Sequence, residues 1–537
     1  MDHTPEPHDR DVDVLVVGAG FAGLYMLHRA RSAGFRTLVV EAGGGVGGTW
    51  YWNRYPGARC DVESVEYSYQ FDESLQQEWT WSERYAAQPE ILAYLEHVAD
   101  RFDLRRDILF DTRVTAVRLD EDAGRWEVTT DDGTVRRARF VVMATGPLSV
   151  PTVPDLPGLD TFAGPVLHTG RWPHEPVDLV GRRVGVIGTG SSGVQSIPVI
   201  AAEAARVTVF QRTPAYTVPA RNRPLTDAEV AEVKADYPAF RAANAQMPLG
   251  FGSRRPVNEG SALAMDEVER TRVYEERWEG GGLGFLGAFV DLLIDPSANA
   301  TAAAFVRDKI ATVVEDPDVA ARLMPDTLIG CKRLCADTGY YETFNRTNVE
   351  LVDVAGTPID EVTPTGVRVG DRRIDLDVLV FATGFDAMTG ALERIDVRGR
   401  DGLALRDAWA EGPGTYLGLG VAGFPNLFLV NGPGSPSVLS NMVVSIEHHV
   451  EWIGDCLEYL RDRGHATVEA EPDAQEAWVR YVNDVASFTV FPSCNSWYLG
   501  ANVPGKPRVF LPLLGFPPYV AQCAEVVADG YRGFTLA

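Results

Sequence analysis

The feature that most constrains the fold of this chain is a strand, a glycine-rich turn and a helix in succession, a pattern that occurs twice. The apolar run Val14–Val17 leads into GAGFAG at residues 18–23, and apolar residues at helical spacing follow. The run Arg183–Ile187 leads in the same way into GTGSSG at residues 188–193. Glycines at this spacing permit the sharp turn, the approach of a pyrophosphate and the close packing of helix on strand. Two such units predict an α/β protein with two dinucleotide sites.

The two sites differ in the residue that follows their second strand. The strand Thr37–Val40 ends at Glu41, eighteen positions after Gly23, where an acid can accept hydrogen bonds from ribose hydroxyls. After the strand Val207–Phe210 the corresponding region carries Arg212, whose guanidinium suits a 2′-phosphate. One acidic and one basic site imply two different cofactors, and we predict FAD at the first site and NADPH at the second.

Two further short strands end in Ala-Thr-Gly, at residues 144–146 and 382–384. Such endings are typical of strands that close a nucleotide-binding domain and pass the chain to its neighbour. The predicted fold is therefore α/β with two Rossmann-like dinucleotide-binding domains, the NADPH domain being inserted in the FAD domain. The predicted segments are 1–147 and 384–537 for the FAD domain, 148–220 and 331–383 for the NADPH domain, and 221–330 for a helical insertion.

The helical insertion is predicted from local patterns. Thr226 and Glu229 have the spacing of a capping box at the start of a helix. Apolar residues recur on one helical face further along, at Phe305, Val306, Ile310, Val313 and Val314. We expect a wall or lid here rather than a catalytic centre.

Composition excludes several function classes. The chain has 49 Lys and Arg against 75 Asp and Glu, a formal charge of -26, which disfavours binding to nucleic acid or to an anionic membrane. No apolar run approaches the length of a membrane span. The first eleven residues are polar and acidic, unlike a signal peptide, and predict a frayed tail. No group of His, Asp and Glu has metal-ligand spacing, so no metal site is predicted.

The six cysteines are too few and too scattered for a disulfide framework. Three residues separate Cys331 from Cys335. None of the other four cysteines has another cysteine close to it in the sequence. We expect six reduced thiols in a cytoplasmic protein. A flavin disulfide reductase would need a cysteine pair soon after the first turn, where only Cys60 is present, so that class is excluded.

Residues 162–173, FAGPVLHTGRWP, match the pattern F-x-G-x-x-x-H-x-x-x-W-P of Baeyer–Villiger monooxygenases at every fixed position. Residues 47–61, GGTWYWNRYPGARCD, resemble a second, shorter fingerprint of that family. The resemblance extends to residues 332–333, 340–346 and 501–507. Related N-oxygenating flavin monooxygenases usually carry another aromatic residue in place of Trp172.

The resemblance implies a stepwise oxygenation of a ketone. NADPH reduces FAD, O2 adds to the flavin 4a carbon, and the peroxide attacks the ketone to form a tetrahedral adduct that rearranges to an ester or lactone. This chemistry needs a fixed positive charge, for which Arg333 is the expected catalytic residue, with Asp61 as its orienting partner. His168, in the longer fingerprint, is expected to couple domain movement rather than to transfer protons.

The remaining site residues are expected from the turns and from the resemblance. Those expected to bind FAD are Gly18, Gly20, Phe21, Gly23, Glu41, Gly48, Thr49, Trp50, Asp61, Tyr67 and Val114. Those expected to bind NADP are Thr189, Gly190, Ser191, Ser192, Gly193, Gln195, Arg212, Thr213, Lys332 and Trp497. Those expected to line the ketone pocket are Ser437, Val438, Leu439 and Met442.

Two alternatives stay open at this point: an N- or S-oxygenating flavin monooxygenase, and a non-enzymatic redox sensor on the same fold. The sequence leaves cyclic, aryl-alkyl and steroid-like ketones equally open. It does not indicate an oligomeric state.

Overall fold

The computed structural model describes residues 11–501, 505 and 515–537. Residues 1–10 of the predicted tail lie outside this range, as do residues 502–504 and 506–507 of the resemblance noted above. The tail prediction is wrong for Asp11, which already pairs with Arg137 in a sheet.

Strands and helices occur in both halves of the chain. The strands are β1 (Asp11–Val17), β2 (Thr37–Val40), β3 (Ile108–Leu109), β4 (Val114–Asp120), β5 (Arg125–Thr130), β6 (Val135–Met143), β7 (Val166–His168), β8 (Arg183–Ile187), β9 (Arg206–Gln211), β10 (Thr217–Pro219), β11 (Cys335–Asp337), β12 (Val349–Asp353), β13 (Ile359–Thr363), β14 (Gly366–Val369), β15 (Arg372–Asp375), β16 (Val378–Phe381), β17 (Asp396–Arg398), β18 (Leu427–Leu429), β19 (Val468–Ala470) and β20 (Phe534–Leu536). The helices are α1 (Phe21–Ser32), α2 (Thr49–Trp52), α3 (Glu73–Glu78), α4 (Gln88–Arg101), α5 (Ser191–Glu203), α6 (Asp227–Ala235), α7 (Tyr237–Ala245), α8 (Glu267–Gly280), α9 (Pro296–Val313), α10 (Pro317–Leu323), α11 (Tyr340–Thr343), α12 (Gly390–Glu393), α13 (Leu405–Ala408), α14 (Met442–Arg463), α15 (Pro472–Ser487) and α16 (Phe516–Ala528).

The first sheet has the strand order β17-β4-β5-β6-β1-β2-β3, with β18 also paired to β6. Strand β1 is central and parallel to both neighbours, so that Val17 lies beside Val40 and Met143. Its residues Val14–Val17 are buried, as a strand covered on both faces requires. Strands β4, β5 and β6 form an antiparallel meander at one side of this sheet.

The second sheet is parallel throughout, with the order β12-β9-β8-β16-β7. Its strands fall in the chain between β6 and β17 of the first sheet, so one nucleotide-binding domain is inserted in the other. The predicted fold class is thereby confirmed. The residue limits predicted for each segment stay predictions.

In both domains the Ala-Thr-Gly segment packs against the glycine-rich turn. Gly18 has φ +106°, and a Cβ on it would lie 2.6 Å from the carbonyl oxygen of Ala144. Gly188 has φ +109°, and its Cβ would lie 2.4 Å from the carbonyl oxygen of Ala382. The backbone of each Ala-Thr-Gly segment therefore contacts the first glycine of a turn. Only glycine fits there, because a Cβ would clash with the alanine carbonyl and because φ is positive.

The region 221–330 is helical, with α6–α10 in succession. Thr226 caps α6 through the predicted capping box with Glu229. In α9, Phe305, Val306 and Ile310 are buried against the second domain's apolar core. The predicted helical character of this region agrees with these elements.

The expectation of six reduced thiols is wrong for two of them. Cys331 and Cys494 form a disulfide, with Cα atoms 6.1 Å apart and 163 residues between them in sequence. Cys60, Cys335 and Cys456 are buried free thiols, as is Cys523. Sequence spacing reveals only pairs that are close along the chain, and this pair is made by the fold.

In the part of the chain that the structure describes, no helix combines the length and apolar character needed to cross a membrane. Within the same residues, no three or more His, Cys, Asp or Glu side chains come together as metal ligands would.

Candidate active site

The first glycine-rich turn is open to a phosphate group. Helix α1 begins after Gly20, and among the described residues no side chain caps its N-terminus. Its free amide groups and the positive end of its dipole favour a pyrophosphate there. The Glu41 carboxylate accepts hydrogen bonds from the backbone N–H groups of Ala19 and Gly43, both at 2.7 Å. Burial raises the pKa of Glu41, and these two hydrogen bonds oppose the rise.

The shorter fingerprint lies directly against this turn. A Cβ on Gly48 would lie 2.8 Å from the Cα of Gly20, so the two backbones are in contact. Trp50 is buried and its indole nitrogen donates to the Tyr67 hydroxyl at 3.3 Å. The Tyr67 ring packs edge-on against Phe21, with centroids 5.3 Å apart. These predicted FAD-binding residues therefore form one group.

Thr49 and Val114, also predicted to bind FAD, do not share this packing. Thr49 is exposed at the start of α2. The Val114 side chain is buried with Leu15, Val17 and Val40. Val14, Val16 and Phe21 belong to a different apolar cluster, so the Val114 side chain faces the opposite side of the sheet from them. Only the backbone of Val114 is therefore available for a contact with FAD.

The second turn is equally open. Helix α5 begins after Gly190, where no side chain among the described residues caps it and a Cβ would meet nothing within 4 Å. The Thr189 hydroxyl donates to the carbonyl of Thr213 at 2.9 Å, which ties the turn to the segment after β9. Ser191 and Ser192 hydrogen-bond Cys335 and Thr169 respectively. The residues at both turns fit the phosphates of two dinucleotides.

Two cations lie together beside this second turn. Arg212 is exposed and Lys332 is partly buried. The pKa of Lys332 is lowered, first by burial and then by the charge of Arg212. The two positive charges repel each other, and a phosphate dianion bound between them would relieve that repulsion. The pair fits the 2′-phosphate that distinguishes NADPH from NADH.

Gln195 joins the two domains. Its amide accepts from the Tyr55 hydroxyl at 2.8 Å and donates to the carbonyl of Arg59 at 3.0 Å. A Cβ on Gly57 would lie only 2.3 Å from the backbone oxygen of Gln195. The shorter fingerprint is therefore docked on α5, and the side chain predicted to contact NADP holds this junction.

His168 is buried at the end of β7, between two connecting segments. Its Nδ1 accepts from the backbone N–H of Gly170 at 2.9 Å, so its proton is on Nε2. Nε2 lies 3.4 Å from the carbonyl of Thr152 and 3.3 Å from the hydroxyl of Thr383 in an Ala-Thr-Gly segment. Burial lowers the pKa of His168, and the imidazole stays neutral at pH 7. Its position suits the expected role in coupling domains.

Arg333 and Asp61 form a bidentate ion pair. The guanidinium donates from Nε to Asp61 Oδ2 at 3.0 Å and from Nη2 to Oδ1 at 2.7 Å. Nη1 donates to the carbonyl of Val438 at 3.1 Å. Burial lowers the pKa of Arg333, but Asp61 and then Tyr498 outweigh it and raise the pKa well above its usual value. Both side chains of the pair are 22% exposed, so the pair is mostly buried and the positive charge is fixed in place.

An apolar cluster adjoins this charge, because Val438, whose carbonyl accepts from Arg333, belongs to it. The residues predicted to line the ketone pocket and those of the Trp497 region form one cluster, made up of Leu148, Ala387, Met388, Val438, Leu439, Met442, Phe491, Trp497, Tyr498 and Leu499. Ser437 is the exception among the predicted pocket residues. It is fully buried with φ +43°, and its hydroxyl points toward the carbonyl of Asn431 at 3.4 Å.

The sequence reasoning missed two tyrosines of this site. Tyr55 lies within the shorter fingerprint, and only its partner Gln195 shows what it does. Tyr498 follows Trp497 directly, and the nearby Arg333 charge opposes the rise that burial causes in the pKa of Tyr498. No sequence pattern marks Tyr498, because its partner is far away along the chain.

Comparison with known proteins identifies the family. The family model described as pyridine nucleotide-disulphide oxidoreductase matches residues 15–245, which include both glycine-rich turns. A Baeyer–Villiger monooxygenase from Pseudooceanicola batsensis is 44% identical over 529 residues, which cover 97% of this chain and 95% of that protein. The chain belongs to the Baeyer–Villiger monooxygenase family.

Two further likenesses bear on the activity of this monooxygenase. The solved structure of an oxidised steroid monooxygenase bound to NADP is 54% identical, with a TM-score of 0.94 over 98% of this chain and 99% of that chain. A phenazine N-monooxygenase from Lysobacter antibioticus is 42% identical and covers 98% of this chain and 97% of its own length.

The monooxygenase uses FAD, NADPH and O2 to convert a ketone to an ester or lactone. The predicted family, cofactors and reaction class are confirmed. When bound, FAD supplies the chemistry that activates O2. The predicted roles of individual residues stay predictions.

Proposed function

We propose that the substrate is an apolar cyclic ketone and that Arg333, oriented by Asp61, is the catalytic residue for its oxygenation. The observation that carries this proposal is the bidentate pair, a permanent cation held by Asp61 and adjoining an apolar cluster through Val438. Aliphatic and aromatic walls favour an apolar ring over a charged substrate. The 54% identical steroid monooxygenase supports a ring-containing ketone.

Arg333 stabilises the negative charge that develops on oxygen during the reaction. A guanidinium stays protonated at any working pH, and Asp61 fixes its plane through two parallel hydrogen bonds. A preorganised donor of this kind contributes about 3–4 kcal/mol to lowering the barrier. The partial burial of the pair lowers the local dielectric constant and strengthens this electrostatic interaction.

The cofactor-binding roles extend the proposal. The first turn, with Glu41 and the group around Trp50, binds FAD. The second turn binds NADPH, with Arg212, Thr213 and Lys332 at its 2′-phosphate. Trp497 covers the nicotinamide half, and His168 couples the domains.

N-oxygenation is a second candidate, favoured by the phenazine N-monooxygenase at 42% identity. Trp172 at the last aromatic position of the longer fingerprint favours ketone oxygenation instead. Because both reactions share the same cofactors, only the products separate them.

The test is product analysis with the FAD-loaded protein, NADPH and O2. Separate reactions contain a cyclic ketone panel that includes a steroid ketone, a heteroaromatic amine and a thioether. We expect lactones as the main products, and exclusive N-oxide formation would overturn the proposal. Arg333→Ala is expected to keep NADPH-driven flavin reduction near the wild-type rate and to lose product formation by about 100-fold or more. Arg373→Ala, at an exposed arginine, is the matched control.

The cytoplasmic location stays a prediction, which fractionation of the producing cells would test. The natural ketone is to be identified from the same panel by comparing kcat/KM values.

A further inference from the structure

A chain of buried hydrogen bonds holds the segment 431–440, called here the pocket loop, which connects β18 to α14. The backbone N–H of Asn431 donates to Nδ1 of His449 at 2.9 Å. Nε2 of His449 lies 2.7 Å from the hydroxyl of Tyr519, and that hydroxyl donates to the carbonyl of Leu417 at 2.6 Å. His449 is 0% exposed and Tyr519 is 3% exposed, so water does not compete for these bonds.

The hydrogen bonds of His449 fix the position of its proton. Because Asn431 donates to Nδ1, that nitrogen carries no proton, and Nε2 donates to Tyr519. Burial lowers the pKa of His449 well below its usual value, so the imidazole is neutral at pH 7. Each donor in the chain meets one acceptor, and a buried polar network that is satisfied in this way is rigid.

The two backbone ends of this chain have unfavourable conformations. Asn431 has φ +54° and Leu417 has φ +60°, in the left-handed region that costs energy for residues other than glycine. Such conformations persist where the surrounding structure holds them. Gly418, next to Leu417, lies against the pocket loop, since a Cβ on it would be 2.6 Å from the Cβ of Ser435. The chain therefore ties the start of the pocket loop to a segment that packs on its middle.

The pocket loop also contacts Arg333. The Val438 carbonyl accepts from Nη1 at 3.1 Å, whereas Asp61 accepts from Nε and Nη2. The carbonyl is uncharged, so it restrains the guanidinium without neutralising it. A cation held by one carboxylate alone could turn about that contact, and a displacement of about 1 Å costs a large factor in rate.

We propose that His449 is a positioning residue for Arg333. Together with Tyr519 it fixes the pocket loop, so that the Val438 carbonyl holds the guanidinium in the orientation that stabilises the developing oxyanion. The proposal rests on the catalytic role proposed above for Arg333. His449 contacts neither substrate nor cofactor in this role and acts only through the loop.

The first test is His449→Leu, which keeps a buried apolar side chain and removes both hydrogen bonds. We expect kcat for ester formation to fall by about tenfold, the effect of one buried hydrogen-bonding group left unpaired. Less ester should form per NADPH consumed, while the KM for NADPH changes little. His448→Leu is the matched control, because Nε2 of His448 is buried without a hydrogen-bond partner among the described residues. Unchanged kcat and coupling in His449→Leu would overturn the proposal.

The rescue variant is His449→Asn. Its side-chain oxygen can replace Nδ1 as the acceptor for the Asn431 N–H, so kcat should recover by about threefold over His449→Leu. A kcat no higher than that of His449→Leu would contradict the role given to this hydrogen bond.

The second test is Tyr519→Phe, which keeps the ring and removes only the hydroxyl. We expect a fall of about threefold or more in kcat, with lower coupling, because Nε2 of His449 loses its acceptor. Tyr340→Phe is the control, since the Tyr340 hydroxyl is buried without a partner among the residues that the structure describes. The double variant with His449→Leu should lose little more than His449→Leu alone. Wild-type kcat in Tyr519→Phe, or losses that multiply fully, would refute a single chain.

The third test separates positioning from pocket shape by comparing a small cyclic ketone with a steroid ketone. If the loop positions Arg333, His449→Leu lowers kcat by a similar factor for both ketones and changes neither KM greatly. A loss confined to the KM of the larger ketone would show that His449 only shapes the pocket and would overturn the proposal.

These tests separate failure of the inference from failure of the proposed function. Full ester formation by Arg333→Ala would refute the proposed catalytic centre itself. Loss of ester formation in Arg333→Ala, combined with wild-type behaviour of His449→Leu and Tyr519→Phe, would refute the inference alone.

Discussion

At the scale of single residues, charge and hydrogen-bonding capacity decide what each side chain of the site does. Arg333 and Asp61 are 272 residues apart in sequence, yet both belong to family motifs and could be named in advance. Glu41 was expected to meet a ribose, and the structure shows that it also fixes the turn through Ala19 and Gly43. Tyr498 could not be named, because its place in the apolar cluster beside this site depends on the fold.

The pair Arg212 and Lys332 carries a prediction about cofactor choice. Arg212→Ala should raise the KM for NADPH by about 10- to 100-fold, the effect of losing a charge-assisted contact to phosphate. The KM for NADH should change little, because NADH has no 2′-phosphate. Steady-state kinetics with both cofactors checks this, and an equal rise for NADH would contradict the assignment of Arg212.

At the scale of secondary-structure elements, the junction between the shorter fingerprint and α5 shows why one position of that fingerprint is a glycine. Gly57 has φ +83° and lies against the backbone of Gln195, so any side chain there would push the two elements apart. The strands β2 and β8 were predicted with their observed limits, since a buried strand between turn residues has a clear local pattern. The docking of one element on another had no such pattern.

Gly57→Ala tests the junction. Gly181→Ala is the matched control, because Gly181 also has positive φ, +71°, but nothing lies within 4 Å of its Cβ position. Both changes carry the cost of an alanine at positive φ. Gly57→Ala should lose about 1–3 kcal/mol more in free energy of unfolding, from the added steric conflict. Denaturant unfolding measures the difference, and equal losses would contradict the close approach.

At the scale of the whole molecule, a buried polar cluster joins the helical region to the FAD domain. Arg241 of α7 donates to the carbonyl of Glu66 and to the Ser68 hydroxyl. Glu66 accepts from the backbone of Gly252. Glu447 of α14 accepts from the backbone N–H groups of residues 70 and 71. Burial, the largest cause, raises the pKa of both Glu66 and Glu447 to about 7.

This cluster predicts how stability depends on pH. A carboxyl group whose pKa is raised by folding holds its proton more strongly in the folded protein, so its stabilisation is complete below its unfolded value of 4.5 and is lost as pH rises through about 7. The Tm should therefore fall less between pH 5 and pH 8 in Glu447→Gln than in the wild type. Glu96→Gln, at an exposed glutamate, is the control. A wild-type slope in Glu447→Gln would contradict the prediction.

The sequence by itself determined the two strand–turn–helix units, their cofactors, the fold class and the reaction class, because these follow from short-range spacing and from motifs that tolerate little change. Only the tertiary structure decided that Cys494 pairs with Cys331, that Tyr498 packs in one cluster with Val438 and that Glu447 is buried near Arg241. Each of these contacts joins segments that are distant in the chain. Their existence depends on how whole domains pack, and the local pattern around a single cysteine, tyrosine or glutamate does not encode that packing.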